Sequence, residues 1–372
     1  MLNQWLRPGR RPGASAGAAL RVTAAANLPA RPVTAARAPV PLPVSSPTVA
    51  GVAEAVAQVP VDPPELQPFS PAFLAWLLAL PTPTGPAAAN RVGAPVLPPH
   101  PAGLHMIAQL DRVIASDALC SQLLPRAPDV VPRLMKTLRD ESYSSVDVAQ
   151  RISRDLLLTA EVIRMASNSV LRNGEDSPDL ARAVAVIGTQ GLRRAIARVV
   201  VRPLFDARAD TLLARAAPQI WEDADKKSRL CLALATGLAL DPLDAYLAGL
   251  LHNTGWTAAL RAIDGLDDTL VPPPAAMAHP EIMVPLLARR DQLFAKMLTL
   301  WQISDPLAQL ADEIVRDGLG AAKSPLAELL RQAQGLAALH TLQAGGALAG
   351  GVVAPAALAP AVSEAYVALS AT

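Results

Sequence analysis

The stretch Tyr246-Leu247-Ala248-Gly249-Leu250-Leu251-His252-Asn253-Thr254-Gly255-Trp256 decides how the rest of the chain is interpreted. It contains an apolar helical run, which Asp241 and Pro242 introduce as an N-cap and a first-position proline. The run ends in an adjacent histidine and asparagine, His252 and Asn253. A single histidine after an apolar helix is typical of a hydrogen-bonded core side chain, although imidazole is also a metal ligand. The partners of this pair must therefore be sought elsewhere in the sequence.

The pair resembles the signature of the HD superfamily. In that superfamily a helix ending in Leu-Leu-His-Asp-Ile-Gly presents an adjacent His and Asp to a divalent metal. Asn253 stands where the superfamily has the aspartate. An aspartate supplies an anionic oxygen, whereas an amide supplies one weak carbonyl oxygen and no charge, so metal affinity is expected to fall steeply. We interpret His252 and Asn253 as a vestigial HD motif without a metal.

Nothing else in the sequence clearly replaces the missing carboxylate. HD enzymes use an upstream metal histidine, but no histidine lies between His105 and His252. Pro218 is predicted to start a helix that carries three acidic and three basic residues: Glu222, Asp223, Asp225, Lys226, Lys227 and Arg229. The carboxylates are alternative metal ligands, but the spacing of Glu222 and Lys226 is typical of i,i+4 ion pairs. We interpret this stretch as a solvated helix face.

Three further stretches resemble the pattern of the HDOD domain family, an HD-related, all-helical, output-type module of bacterial signalling proteins. They are residues 146–155 (VDVAQRISRD) with Leu158-Thr159, residues 163–169 (IRMASNS), and residues 183–188 (AVAVIG) with Leu192-Arg193. Several ordered matches are more specific than any single one, and the resemblance runs from about residue 119 to 314. It implies an all-α, HD-like multi-helix bundle, an HDOD domain over residues 117–314, and a regulatory function.

Composition limits the function classes. Hydrophobic residues make up 51% of the 372 residues and aromatic residues only 3%, which favours helix; the net charge of +1 does not indicate nucleic-acid binding. No uninterrupted apolar run is long enough for a transmembrane helix, and there is no signal-peptide core. Cys120 and Cys231 lie outside any CxxC or Cys/His cluster. They predict reduced thiols in a cytoplasmic protein and no zinc site.

Residues 1–100 are predicted to form a disordered Pro/Ala-rich arm, because frequent prolines remove backbone donors and restrict the preceding residues. One short apolar helix is predicted near residues 70–80. Its apolar face carries Phe73, Trp76, Leu77 and Leu80 at i, i+3, i+4 and i+7. A helix this short is marginal in water. We therefore expect it to dock, either on a partner or, as we favour, on its own bundle as a tethered lid over a partner-binding surface.

At the other end of the chain, residues 324–372 predict a C-terminal helical extension that packs on the bundle. Three functions remain open. The favoured one is a non-catalytic signalling or scaffold protein that binds an unidentified partner protein and uses no cofactor. A second is a metal-dependent phosphohydrolase in which His279, Asp267 or Asp268 completes an unusual ligand set.

The third function is a nucleotide-sensing module that uses the vestigial HD pocket. No Walker or GxGxxG pattern marks a phosphate site in the sequence. Arg193 and Arg194 lie near a helix start, where anions bind. We interpret them as ordinary surface arginines.

Overall fold

The computed structural model describes residues 71–79, 100–124, 156–170, 180–266, 277, 279–348, 351–356 and 358–371. In these ranges the chain forms α-helices, short 3₁₀ segments and turns, and no strand. The prediction of an all-α fold is confirmed. Residues 1–70 and 80–99 of the predicted arm lie outside the described residues, as do Asp267 and Asp268.

The described ranges before residue 202 contain five helices: α1 (Pro71–Leu77), α2 (Pro101–Ile114), α3 (Asp117–Leu123), α4 (Leu156–Val170) and α5 (Leu180–Val201). α4 and α5 pack side by side. α5 contains a kink at Gly188, whose φ of 61° and ψ of −175° are not helical. Glycine adopts this backbone conformation without the strain that a Cβ atom would cause, so the chain changes direction there and continues as a helix.

The part of the chain described after residue 202 contains seven more: α6 (Leu212–Leu234), α7 (Pro242–His252), α8 (Thr254–Asp264), α9 (Pro280–Trp301), α10 (Asp305–Asp317), α11 (Pro325–Ala344) and α12 (Pro360–Val367). α6 is the central helix, and it packs against α1, α7, α8, α11 and α12. α9 packs against α8, α10 and α2. None of the helices in the described ranges is long and apolar enough to cross a membrane.

α6 passes through Pro218 without a break, so the prediction that a helix starts at this proline is wrong. A proline inside a helix removes one backbone hydrogen bond. Packing of α6 on several sides offsets this cost, and a remote side chain holds its first turn. The Asp264 carboxylate, at the end of α8, accepts hydrogen bonds from the backbone N–H groups of Leu212 and Leu213 at 2.8 and 3.1 Å.

The C-terminal helices α11 and α12 both pack on α6. The hydroxyl of Tyr366, in α12, donates a hydrogen bond to Oε1 of Gln343, in α11, at 2.8 Å. Arg229 of α6 donates to the carbonyl of Ala368 at 2.8 Å. Residues beyond the predicted HDOD region thereby cover one side of the central helix.

Candidate functional site

His252 and Asn253 lie where α7 ends and α8 begins. His252 is the last residue of α7, and Asn253, with φ −76° and ψ −1°, connects it to α8. α7 begins with the cap expected from its sequence, because Oδ1 of Asp241 accepts a hydrogen bond from the N–H of Leu243 at 2.7 Å and Pro242 follows the cap. Both His252 and Asn253 are 0% exposed. The pair is therefore held in the interior of the bundle.

Two glycines within residues 246–256 allow other helices to approach this pair closely. A Cβ atom on Gly249 would lie 2.6 Å from the backbone carbonyl carbon of Lys227, in α6. A Cβ atom on Gly255 would lie 2.2 Å from the backbone oxygen of Arg290, in α9. Both distances are far below van der Waals contact, so only glycine permits these approaches.

The ammonium of Lys227 is the centre of the site. This side chain is fully buried, and its Nζ lies 2.9 Å from Nδ1 of His252, 2.5 Å from Oδ1 of Asn253 and 2.8 Å from Oδ2 of Asp223. An ammonium has three N–H donors and no acceptor. The three neighbouring atoms use all three donors of the ammonium. The positive charge of Lys227 therefore lies between the side chains of His252 and Asn253.

The amide of Asn253 uses both of its ends. Its Oδ1 accepts from Lys227, while its Nδ2 donates to the backbone carbonyl of Ile220 at 2.7 Å and to Oδ2 of Asp223 at 2.9 Å. An aspartate has no donor for these two acceptors. The site is therefore built for an amide at position 253 and not for the carboxylate of the HD signature.

The second ring nitrogen of His252 faces α9. Nε2 lies 2.9 Å from Oδ1 of Asp291, and the ring packs edge-on against Phe294 with centroids 5.1 Å apart. Burial lowers the pKa of His252 well below its usual value, and the positive charges of Lys227 and Arg290 lower it further. A neutral imidazole that donates from Nε2 and accepts at Nδ1 satisfies both neighbours.

Charge in this cluster is balanced by two cations, Lys227 and Arg290, and two carboxylates, Asp223 and Asp291. Nε of Arg290 lies 2.8 Å from Oδ1 of Asp291, and its guanidinium carbon lies 5.6 Å from the ring centroid of Trp256. Burial lowers the pKa of Lys227, and the negative charge of Asp223 opposes this shift. Burial raises the pKa of Asp291, and Arg290 and Lys227 oppose that shift. The opposite charges of these groups therefore favour one another's ionised forms against the effect of burial.

The interpretation of residues 222–229 as a solvated helix face is wrong. Asp223, Asp225, Lys226 and Lys227 are buried, with exposed fractions of 2%, 9%, 6% and 0%. Only the expected pair of Glu222 and Lys226 is confirmed, at 2.7 Å with the Glu222 side chain 54% exposed. The charged residues are buried because α7 covers one side of α6, while α11 and α1 cover another.

A signal for this burial is present in the sequence of α6. Five apolar residues form a buried stripe along the helix: Ile220, Ala224, Cys231, Leu234 and Leu230. Lys227 falls three residues after Ala224 and four before Cys231, which places it on that stripe. Asp223 precedes it by four residues, at the spacing of an ion pair. A charged pair on an apolar stripe indicates a buried interaction.

Of the other residues proposed from the sequence, His279 and Arg194 lie outside this cluster. His279 is the N-cap of α9, and its Nδ1 accepts a hydrogen bond from the N–H of Glu281 at 3.3 Å. It lies twelve residues before Asp291, which corresponds to about 18 Å along the helix axis. Arg194 donates to the carbonyl of Gln190 in its own helix at 3.2 Å, and burial lowers the pKa of Arg194.

α1, the helix predicted near residues 70–80, lies against α6 and α11. Its buried side chains are Phe73, Leu74, Ala75 and Leu77, and Leu78, which follows the helix, is also buried. Trp76 is half-buried, and its ring centroid lies 5.2 Å from Nζ of Lys226. Leu74 and Leu78 thus extend the predicted apolar face, whereas Leu80 lies outside the described residues. A lid function for α1 stays a prediction.

The HDOD domain family model matches residues 124–314, just over half of the chain. An uncharacterized protein of Treponema pallidum (strain Nichols) is 22% identical over 157 residues, which cover 42% of this chain and 30% of that protein. The chain therefore spans less than a third of the length of this relative.

Two crystal structures are similar at low identity. A protein named "Putative metal-dependent phosphohydrolase", from Shewanella amazonensis SB2B, is 18% identical with a TM-score of 0.49; the similarity covers 73% of this chain and 99% of that one. An HDOD domain protein with unknown function, from Geobacter sulfurreducens, is 19% identical with a TM-score of 0.43, over 64% of this chain and 78% of that one. The family match, together with the all-α fold, leads to one conclusion: the chain belongs to the HDOD domain family.

Proposed function

We propose that this chain is a non-catalytic regulatory protein that acts by binding a partner protein. The observation that carries this proposal is the Lys227 ammonium, which is saturated by His252, Asn253 and Asp223. The cation of the HD-like site is part of the polypeptide. It cannot exchange, bind a substrate or activate a water molecule.

The relationship to HD proteins implies a divalent metal at His252, and the described residues do not fit one. A metal would compete with Lys227 for Nδ1 of His252 and Oδ1 of Asn253. It would also add positive charge beside Lys227 and Arg290, where the low dielectric makes repulsion strong. Among the described residues, no three His, Cys, Asp or Glu side chains are grouped as metal ligands.

Access to the cluster supports the same function. A hydrolytic metal centre keeps an open position for water or substrate. Lys227, His252 and Asn253 are each 0% exposed, and Asp223 is 2% exposed. With these groups enclosed, Lys227 joins α6 to His252 and Asn253, and Nε2 of His252 reaches Asp291, so the cluster acts as a structural centre that holds α6, α7, α8 and α9 together.

The regulatory part of the proposal comes from the family. HDOD domains are output-type modules of bacterial signalling proteins. We infer that this chain, like other output modules, acts through contacts with other proteins. We place the protein in a reducing, cytoplasmic compartment. Both cysteines are free and buried, and burial raises the pKa of Cys120 to about 11 and that of Cys231 further, which keeps these thiols protonated and unreactive.

Elemental analysis and phosphatase assays test the absence of catalysis. The purified full-length protein is expected to hold far less than one equivalent of Fe, Mn or Zn, and to leave phosphate monoesters and cyclic nucleotides unhydrolysed when Mn²⁺ or Fe²⁺ is added. One tightly bound metal per chain, or metal-dependent turnover that His252→Ala abolishes, would overturn the proposal.

Affinity capture from native lysate tests the partner-binding function. The full chain is compared with residues 101–372, which lack the N-terminal arm and α1. We expect a specific partner protein to be retained in stoichiometric amount. We also expect this partner to dissociate more readily from one of the two forms than from the other. If neither form retains a protein above the level of an unrelated helical bait, the interaction part of the proposal is wrong.

A further inference from the structure

α1 packs on α6 and α11, where Nζ of Lys226 lies 5.2 Å from the ring centroid of Trp76 and bonds to Glu222 and Thr341. We call this surface of α6 and α11 the α1 seat. Nζ of Lys226 donates to Oγ1 of Thr341 at 2.9 Å and pairs with Oε1 of Glu222 at 2.7 Å. Thr341 in turn donates to the carbonyl of Ala337 at 2.9 Å. The polar groups of the seat are therefore paired with one another and do not depend on α1.

α1 contributes apolar side chains to this contact. Leu74, Leu77 and Leu78 are at most 2% exposed, and Phe73 is 5% exposed. The ring of Trp76 lies over the Lys226 ammonium and 5.9 Å from the ring of Phe73. Departure of an apolar occupant does not strand the Lys226 charge, because its acceptors on α6 and α11 remain in place. A groove that accepts the apolar face of an amphipathic helix is a recurring mode of peptide recognition.

The helix, in contrast, depends on the seat. α1 has seven residues, and an isolated helix of this length is not stable in water. Residues 80–99 connect it to α2, so a tether keeps it near the seat even when it leaves. A partner that presents an equivalent helix must compete with α1, which the tether keeps at a high local concentration. The partner helix binds by replacing α1 on the seat.

We propose that α1 is the resting occupant of a helix-recognition groove, and that the partner docks on the α1 seat with an amphipathic helix of its own. This inference rests on the proposed partner-binding function and identifies its surface. The partner helix carries large apolar side chains at the spacing of Phe73, Leu74, Leu77 and Leu78, and an aromatic ring that lies over Lys226. Its binding displaces α1.

A peptide in trans tests this exchange. The full chain with Leu74→Asp and Leu77→Asp has an α1 that cannot occupy the seat. A fluorescein-labelled peptide of residues 71–79 is expected to bind this variant at least tenfold more tightly than it binds the unmodified chain, measured by fluorescence anisotropy. The same peptide with both Asp substitutions is the matched control and is expected not to bind.

Three outcomes overturn the inference: no binding to the double variant, equal binding to the variant and the unmodified chain, or binding that Lys226→Ala in the double variant leaves unchanged. If circular dichroism shows that the double variant is unfolded, the full chain with Trp76→Ala replaces it, with at least threefold tighter binding expected than for the unmodified chain. These assays need no external partner, so their failure is distinct from failure to capture one.

Discussion

Lys226 and Lys227 are consecutive residues of α6, yet they belong to two different regions. Lys227 is 0% exposed and bonds to three side-chain acceptors, those of His252, Asn253 and Asp223. Lys226 bonds to Thr341 and to the half-exposed Glu222, and Trp76 covers it. Successive helical residues point about 100° apart, so one lysine reaches the HD-like cluster and the other reaches the α1 seat.

The difference teaches that a buried charge has two distinct uses in this fold. Around Lys227 every partner is enclosed, and removal of one member strands the others. Around Lys226 one partner faces solvent, and the covering helix is a short segment of the N-terminal arm. α6 therefore has a closed side that holds the bundle together and a side suited to exchange.

Lys227→Met is expected to lower the unfolding free energy more than any other substitution considered for these two regions. It leaves the Asp223 carboxylate buried without its cation, and loss of one member of a buried pair costs about 3–5 kcal/mol. Lys226→Met is the matched control, and its cost is expected to be about 1 kcal/mol because Glu222 remains hydrated. Urea unfolding followed by circular dichroism measures both. Equal losses for the two variants would contradict the distinction.

Asn253→Asp is expected to cost about 2–3 kcal/mol of unfolding free energy. The new carboxylate oxygen would face the carbonyl of Ile220 and the carboxylate of Asp223, at the positions that the amide nitrogen now serves at 2.7 and 2.9 Å. Asp223→Asn in the same chain removes the repulsion and is expected to recover part of the loss. The single variant is also expected to show no metal-dependent phosphohydrolase activity. Unchanged stability, or robust turnover, would show that the site accepts the HD signature.

His340, in α11, packs against the ring of Tyr366, in α12, and allows a pH test on the side of α6 that these two helices cover. Burial lowers the pKa of His340 to about 4, and Lys226 and Arg229 contribute to the shift. A histidine whose folded pKa is depressed stabilises the fold fully above its unfolded pKa of about 6.5, and this stability is lost as pH falls toward 4. Between pH 7 and pH 5 the loss amounts to about 2 kcal/mol.

The measurement compares unfolding free energies at pH 7 and pH 5 for the unmodified chain and His340→Gln. The variant is expected to lose the contribution of His340 to the change in unfolding free energy between the two pH values. It keeps the contribution of His252, whose pKa is also lowered by burial. The raised pKa of Asp291 acts in the opposite direction, because a folded state that binds a proton more tightly gains stability as pH falls. It is common to both proteins and cancels in the comparison. Identical pH profiles would exclude a contribution from His340.

Trp76→Ala is expected to have the smallest effect, about 1 kcal/mol, because the ring is half-buried and its contact with Lys226 is a cation–π interaction. Trp76→Phe keeps an aromatic ring and serves as the control. Thermal melting and the difference in tryptophan emission between the intact chain and the alanine variant provide the readout. If the emission lost on substitution is that of a fully solvated indole, α1 does not dock in solution.

Local signals in the sequence identify part of the site, and they leave Arg290 and Asp291 unmarked. His252 and Asn253 were identified as the motif, and the cap at Asp241 and Pro242 was expected where the structure has it. The i,i+4 spacing of Glu222 and Lys226 favours a solvated helix face, and this interpretation misplaces Lys227. Its partners explain the error, since two of them lie more than 20 residues away, on α7 and at the junction with α8.

The sequence by itself determined the helical fold, the family and the departure from the HD signature, because these depend on periodicity, caps and the order of motifs along the chain. The apolar stripe of α6 places Lys227 on a buried face, but only the tertiary structure decided which side chains enclose it and accept its hydrogen bonds. A charge is buried when helices from distant parts of the chain exclude water around it and supply its hydrogen-bond partners. Lys227 satisfies this condition through α7 and α8, as Lys226 does through α11, and no local pattern on α6 specifies which neighbours will pack there.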